Sequence, residues 1–288
     1  MYYNNDSYRE FVLQKLPSKK EIRICDFPLC VDSNQNICSH ISTLPGFISP
    51  NCSSETIEIL TNIKLNDSIL TGFIQSRKAN SFLLKNYDYK KQNIAVLQTE
   101  SDPNKFISKC RRSTRNRLRK TLNKKHFISD SFSNQFSKYY EILCNEKNFK
   151  SIYSYKKSDF QILNFNTNLI PISIYNDQGE FVGGSIVGRY NNDNFDYILS
   201  CYDGRIKNAG RIVIFESQKY VNKIGGKYLN LGGGTTENDS LFDFKLSFGA
   251  FTQPVYYFKI VNCLSKFEAF FNISFKNALK LNYYPPNK

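Results

Sequence analysis

Lys245 stands between Phe244 and Phe248 in the stretch FDFKLSFG. A lysine with phenylalanine neighbours can lift its ammonium to water on an apolar stem. Just upstream, Gly232, Gly233 and Gly234 end the strand-like run YLNL, and glycines there let a ligand or another chain come close to the backbone. The same stretch carries three carboxylates, Glu237, Asp239 and Asp243, any of which can take a proton directly or through water.

Two cationic constellations accompany it. In CYDGRIKNAGRIVIF a basic, glycine-containing loop opens a helix, which makes a good anion site because free N–H groups and the helix dipole point at it. Arg205, Lys207 and Arg211 add charge there, Asn208 lies within the loop, and the small Ala209–Gly210 pair allows close backbone approach. A tight strand-to-helix turn with surface cations is the other reading of these residues, and both stay open. Between Lys109 and Lys125, nine of seventeen residues are Lys or Arg. Arg111, Arg115 and Arg119 follow one another at i,i+4, where like charges repel by a few tenths of a kcal/mol per pair. Solvated faces usually mix signs, so a stripe of one sign points to a polyanion.

The elements that would position these groups are clearest from residue 169 onward. The pattern predicts strands in LIPISIYN, EFVGGSIVGRY and FDYILSCYD, joined by the turns DQG and NNDN. A helix follows in RIVIFESQKYVNKIG, with Val213, Ser217, Tyr220 and Ile224 on one face and Glu216, Lys219 and Lys223 elsewhere. KYLNL and QPVYYFKIV read as strands, and SKFEAFFNISFKNALKL as a closing helix. SKCRRSTRNRLRKTLNKKHF, 108–127, reads as one helix, and residues 1–107 carry the strand candidates EIRICDF, TIEIL, SFLLKNY and NIAVLQ. The fold class expected is α+β, a sandwich of mixed sheet and helices.

Composition narrows the partners. The 288 residues carry a net charge of +14, a field that favours nucleic acid, phosphorylated cofactors, nucleotide sugars or an acidic membrane surface. No run approaches the roughly 18 apolar residues of a spanning helix, and the polar start MYYNNDSYREF lacks a secretory signal core. The expected location is the cytoplasm. Cys25, Cys30, Cys38, His40 and Cys52 crowd one region, but their spacing is not that of a structural zinc site, so reduced thiols and no metal are expected. His40 and His126 sit in no motif, which leaves no histidine-based triad.

Taken together, RRSTRNRLRK, the hairpin strands, RIKNAGR, LNLGGG and DSLFDFKLSFG resemble the GNAT superfamily of N-acyltransferases, and more narrowly its Fem-type, double-GNAT branch. The resemblance covers roughly 108–260. It implies a GNAT-like mixed sheet with flanking helices in tandem units: an N-terminal half over 1–107 and an acyltransferase domain over 108–288. It implies that the strand before the glycines is one of two that splay apart around the acyl donor. Gly232, Gly233 and Gly234 would then leave room for the donor arm or acceptor, and residues 205–211 would hold the donor's phosphates. The Fem-type FK dipeptide lies at the reacting centre and Phe244–Lys245 matches it. A fixed cation there can stabilise the oxyanion formed when an amine attacks a thioester or ester carbonyl.

The chain lacks the long heptad-patterned arm of some peptidoglycan-bridge enzymes, and shorter members of the superfamily acylate nucleotide-linked amino sugars from acyl-CoA. The expected function is therefore N-acyl transfer from acyl-CoA to a nucleotide-linked amino sugar for a surface glycan, with Arg115 and Arg119 holding the acceptor. One alternative is an aminoacyl-tRNA-dependent transferase acting on a peptidoglycan precursor. Another is a nucleic-acid-binding protein on a GNAT scaffold, against which the cluster at 228–250 argues.

Overall fold

The computed structural model describes residues 6–13, 19–24, 27–34, 38–43, 53–66, 69–122, 125–148, 154–163, 168–234 and 239–280. In chain order these form α1 (Asp6–Leu13), β1 (Lys19–Ile24), β2 (Phe27–Asn34), β3 (Cys38–Thr43), α2 (Ser53–Lys64), β4 (Thr71–Ser76), α3 (Ser81–Asn86) and β5 (Asp88–Gln98). Next come α4 (Pro103–Lys109), α5 (Arg112–Leu122), β6 (His126–Ser129), α6 (Asn134–Glu146), α7 (Lys157–Phe160), β7 (Leu169–Asn176), β8 (Phe181–Arg189) and β9 (Asn194–Tyr202). The chain continues with α8 (Ala209–Lys223), β10 (Tyr228–Gly232), α9 (Ser240–Leu246), β11 (Phe251–Val261), α10 (Leu264–Phe271) and α11 (Phe275–Ala278).

Two compact units share the chain discontinuously. The first takes residues 1–11 and 94–252, the second 12–93 and 253–288. The sequence reading divides the chain at 107/108 instead. The difference arises because strand pairing, not proximity in sequence, gathers each unit: Tyr256–Val261 of β11 pair with Thr71–Ser76 of β4.

In the first unit the strands run β5-β10-β9-β8-β7-β6. All neighbours are antiparallel except β9 and β10, which are parallel. Strand β8 is buried from Phe181 to Gly188, as a central strand covered on both faces must be. Its two glycines explain how the covers fit. A Cβ on Gly183 would stand 2.5 Å from Val213 Cγ2 of α8, and one on Gly184 would stand 3.0 Å from the Phe136 ring of α6. Successive strand residues face opposite sides, so α8 and α6 press on opposite faces of the sheet. Phe11 of α1 stacks on Tyr155 at 4.0 Å between ring centroids and packs on Phe160, which also meets Phe136 and Tyr140.

The second unit orders its strands β1-β2-β3-β4-β11, antiparallel except for β3 beside β4. Helix α2 buries Thr56, Ile59, Leu60 and Ile63, and the Thr56 and Ser76 hydroxyls meet at 3.0 Å. Lys259 is buried and donates to the Leu279 carbonyl at 2.8 Å.

Several sequence expectations shift. TIEIL and SFLLKNY are helical, in α2 and α3, not strands. Over a longer window the buried 56, 59, 60, 63 spacing has the helical period, and Asn80 caps Leu83 N at 3.0 Å. The basic helix breaks at Cys110, whose backbone is extended, while Arg111 N turns to donate to Ser247 O at 2.9 Å. Helix α5 ends at Leu122, and His126–Ser129 are strand. The closing helix splits at Asn272, which adopts φ 50°. Glu216 is buried rather than on an open face, and burial raises its pKa against the opposing pull of Lys219. Glu237, Cys25 and Cys52 lie outside the described residues, as do the side chains of Cys30, Cys38 and His40.

Candidate active site

The site begins where two parallel strands part. Strand β10 pairs with β9 through Tyr228↔Asn194, Leu229↔Phe195 and Asn230↔Asp196, and the ladder stops there. Strand β9 runs on to Tyr202 along β8, whereas β10 turns away, with a register shift against β5 between Asn230 and Gly232. Gly232 has φ +77°, a conformation glycine adopts without a Cβ penalty. Its N–H donates to Asn230 Oδ1 at 2.8 Å, and Asn230 Nδ2 donates to Asp196 Oδ1 at 2.9 Å. Asp196 and Asn230 are both buried at the fork.

From the end of β9 the chain enters α8 through the loop singled out in the sequence. Asn208, at φ 64°, is the N-cap and contributes no side-chain cap bond. Arg211 N and Ile212 N donate to Asn208 O, at 2.8 and 3.2 Å. The Tyr202 ring lies beside Gly210, where a Cβ would meet it at 3.3 Å, so a side chain there would make the ring give way. Ala209 is buried and Lys207 exposed. Arg205 is engaged elsewhere: its Nε reaches both Asp203 oxygens at 3.0 and 3.1 Å, and its Nη2 meets Asp203 Oδ2 at 2.6 Å and Tyr139 Oη at 2.8 Å. The Arg205 guanidinium holds the Asp203 carboxyl down at about 2. The loop is therefore pinned by an ion pair, and Arg211 remains the arginine of the motif without a carboxylate partner among the described residues.

Arg211 lies with its guanidinium 5.0 Å from the centre of the Phe244 ring, and its buried Nε has no acceptor. Burial lowers its pKa, and the like charge of Arg117 lowers it further. Phe244 meets Phe248 edge-on at 5.2 Å. Between them Lys245 turns inward and donates from Nζ to Gly233 O at 2.6 Å, with Nζ 3.6 Å from where a Gly232 Cβ would stand. Burial pushes the ammonium down to about 8, opposed by the charge of Asp239. So the lysine does not lift its charge to water. It holds it against the glycine end of β10, beside the fork.

The carboxylates have structural partners. Asp239 caps α9 through Phe242 N at 2.7 Å, and Asp243 pairs with Arg111 on the surface. Gly234 adjoins Gly233, partly buried. On α5, Thr114 and Ser247 share a buried hydroxyl bond of 2.8 Å that docks the helix on the end of α9. Arg115 turns back onto α4: its Nη2 donates to Ser108 O and Cys110 O, both at 3.0 Å, satisfying carbonyls at that helix's C-terminus. Arg119 is exposed. The structure thus brings Lys245, Phe244, Gly232, Gly233 and Arg211 together and turns Arg205 and Arg115 to other partners. Sequence reasoning passed over Asn230, Asp196, Asp203 and Tyr202. An Asn two positions before the glycine that ends a strand was the available signal for the first, and the Asp203–Arg205 spacing for the third.

No protein-family model and no curated protein matches the chain. Solved structures do match. FemX is similar over 89% of this chain and 91% of its own, at 10% identity and a TM-score of 0.63. L-PGS from Bacillus licheniformis is similar over 96% and 95%, at 12% identity and a TM-score of 0.58. The C-terminal domain of a putative lysylphosphatidylglycerol synthetase from Agrobacterium fabrum is similar over 90% and 89%, at 11% identity and a TM-score of 0.57. The chain has the GNAT-like fold of these proteins, a mixed sheet with flanking helices.

Proposed function

We propose that the chain is a Fem-type aminoacyltransferase that passes an activated aminoacyl group to an amine at the fork of β9 and β10. The observation that carries this reading is Lys245, a half-buried ammonium anchored on Gly233 O at 2.6 Å. The attacking amine adds to the ester carbonyl, negative charge gathers on the carbonyl oxygen, and a cation held in low dielectric stabilises it by about 3 kcal/mol. The C–O bond then breaks, and the proton of the amine ends on the departing hydroxyl. This reading seats the donor arm where the β9–β10 ladder stops. Asp239 and Asp243 are occupied by a cap and an ion pair, which favours proton transfer within the reacting groups or through water over a dedicated base.

Aminoacyl-tRNA is the donor this reading favours. The exposed cations of α5, Arg112, Arg117, Arg119 and Lys120, exceed what a diphosphate needs and suit a polynucleotide backbone. One of the similar structures is also named as part of a putative lysylphosphatidylglycerol synthetase, a name that points to aminoacyl chemistry. A second reading keeps acyl-CoA as donor and a nucleotide-linked amino sugar as acceptor. It is favoured by the start of α8, where the positive end of the helix dipole and the Arg211 guanidinium suit a pyrophosphate. On either reading we place the protein in the cytoplasm; among the described residues no helix is long and apolar enough to cross a membrane. We further read its two halves as tandem GNAT-like units.

Presenting charged tRNA and a set of acyl-CoAs to the same acceptor panel separates the readings. Deacylation of tRNA coupled to acceptor modification supports the first. Free thiol release with no need for tRNA supports the second, and neither product would sink both.

A further inference from the structure

The two strands that part at the fork are tied by side chains as well as by backbone. Asn230↔Asp196 is the last rung of the parallel ladder, and the Asn230 amide is used at both ends there. Its Nδ2 donates to the Asp196 carboxylate at 2.9 Å, and its Oδ1 accepts the Gly232 N–H at 2.8 Å. These partners fix which way the amide faces, because a carboxylate only accepts and an N–H only donates. The second bond closes the turn that throws β10 off its register with β5 and sets Gly232 at φ +77°. The next residue, Gly233, presents the carbonyl on which the Lys245 ammonium rests. The path from Asp196 to Lys245 therefore runs through one buried amide and two glycines that have no side chains to hold them in place.

We propose that Asn230 is a positioning residue: anchored by Asp196, it fixes the turn at Gly232 and thereby sets where the Gly233 carbonyl holds the Lys245 ammonium at the fork. The proposal rests on the reading of Lys245 as the reacting-centre cation, but the position of the ammonium can be measured without any donor or acceptor. Without the Asn230 bonds the glycine end of β10 is free to rotate, the Gly233 carbonyl leaves its place, and the lysine stem is long enough to carry its charge out to water. The charge that acts on it is Asp239 at the start of α9. The neighbouring elements also carry Asp243 of α9, paired with Arg111, Arg211 of α8 against Phe244, Arg117 of α5 acting on Arg211, and Asp196 of β9.

The test is a carbon-13 titration of lysine side chains in the full chain, with the Lys245 signal identified by its loss in Lys245→Met. Asn230→Leu keeps the amide's shape and removes both bonds, and should raise the Lys245 midpoint by roughly one pH unit as the ammonium reaches water. Asp196→Asn keeps an acceptor for Asn230 and removes a nearby negative charge, so its midpoint should stay or fall. Opposite behaviour of the two variants is the signature of positioning. An unmoved midpoint in Asn230→Leu, or a rise in both variants alike, overturns the proposal. If Asn230→Leu does not fold, Asn230→Ser, whose hydroxyl cannot span both partners, reads the same shift. In turnover Asn230→Leu should lower kcat about tenfold with the donor KM little changed. A shifted midpoint with unaltered kcat would leave the positioning standing and overturn the catalytic reading of Lys245.

Discussion

Replacing Lys245 by methionine separates a catalytic cation from a structural one, because the two roles move stability and turnover in opposite ways. Methionine keeps the apolar stem between Phe244 and Phe248 and removes the charge. In the folded chain the ammonium sits at about 8 against an ordinary lysine value of 10.5. That gap corresponds to about 3 kcal/mol set against the folded state whenever the lysine is charged. Here the folded value lies below the unfolded one, so between pH 8 and 10.5 the unfolded chain binds more protons and stability rises with pH. Below pH 8 the whole penalty is present, partly offset by the bond to Gly233 O, worth about 1.5–3 kcal/mol for a charged donor. Lys245→Met should therefore unfold in urea at pH 7 within about 1.5 kcal/mol of the parent, in either direction. At pH 10 the parent should have gained on the variant by up to about 3 kcal/mol. Turnover at pH 7 should fall roughly 100-fold or more. A variant that keeps turnover within about threefold, or loses several kcal/mol at pH 7, would show that the lysine serves the fold and that the oxyanion argument fails.

Because the cation is lost as Lys245 deprotonates, kcat should decline as pH rises through about 8; a kcat that keeps climbing to pH 10 would assign the lysine another role. Arg115→Ala should cost about 1–3 kcal/mol in thermal or urea unfolding, since it exposes the carbonyls of Ser108 and Cys110, while leaving donor affinity unchanged. Arg119→Ala should instead leave stability alone and reduce the slope of log affinity for tRNA against log salt by close to one, a change readable by filter binding. Gly184→Ala places a methyl 2.5 Å from Ile172 O and should destabilise the first unit by about 1–3 kcal/mol in calorimetry.

Three strands of the first unit's sheet were legible because each is an apolar run bounded by turn residues: LIPISIYN is β7, and the next two strand readings differ from β8 and β9 by a residue at either end. Helix α8 was legible for the same reason, apart from Glu216, whose burial no local pattern shows. Short apolar runs such as TIEIL misled because five residues fit both periods, and only the full twelve residues of α2 resolve the choice. The site was legible in its unusual residues, the glycines and the lysine between phenylalanines. It was illegible in its pairings. Arg205 and Arg115 looked like free cations because the groups that engage them, Asp203 with Tyr139 and the end of α4, become their partners only in the folded chain or are backbone carbonyls that sequence never displays. Asn230 drew no notice because its role depends on a residue of a neighbouring strand, 34 positions away.

The division of the chain between its units also has a consequence for synthesis. Helix α1 belongs with residues 94–252, yet it leaves the ribosome long before them. Phe11 must then wait for Tyr155 and Phe160, and the unit cannot close until Thr252 has emerged. At about 5–20 residues per second that delay lasts on the order of ten seconds or longer. The second unit closes later still, because β4 has no β11 to pair with until Val261 has emerged. Neither half can be released by a single cut, so a fragment beginning at residue 108 would lack both the β5 strand beside β10 and the helix that carries Phe11. During translation the nascent protein must hold apolar surface exposed over this interval, which makes it a natural client for chaperones that bind before release.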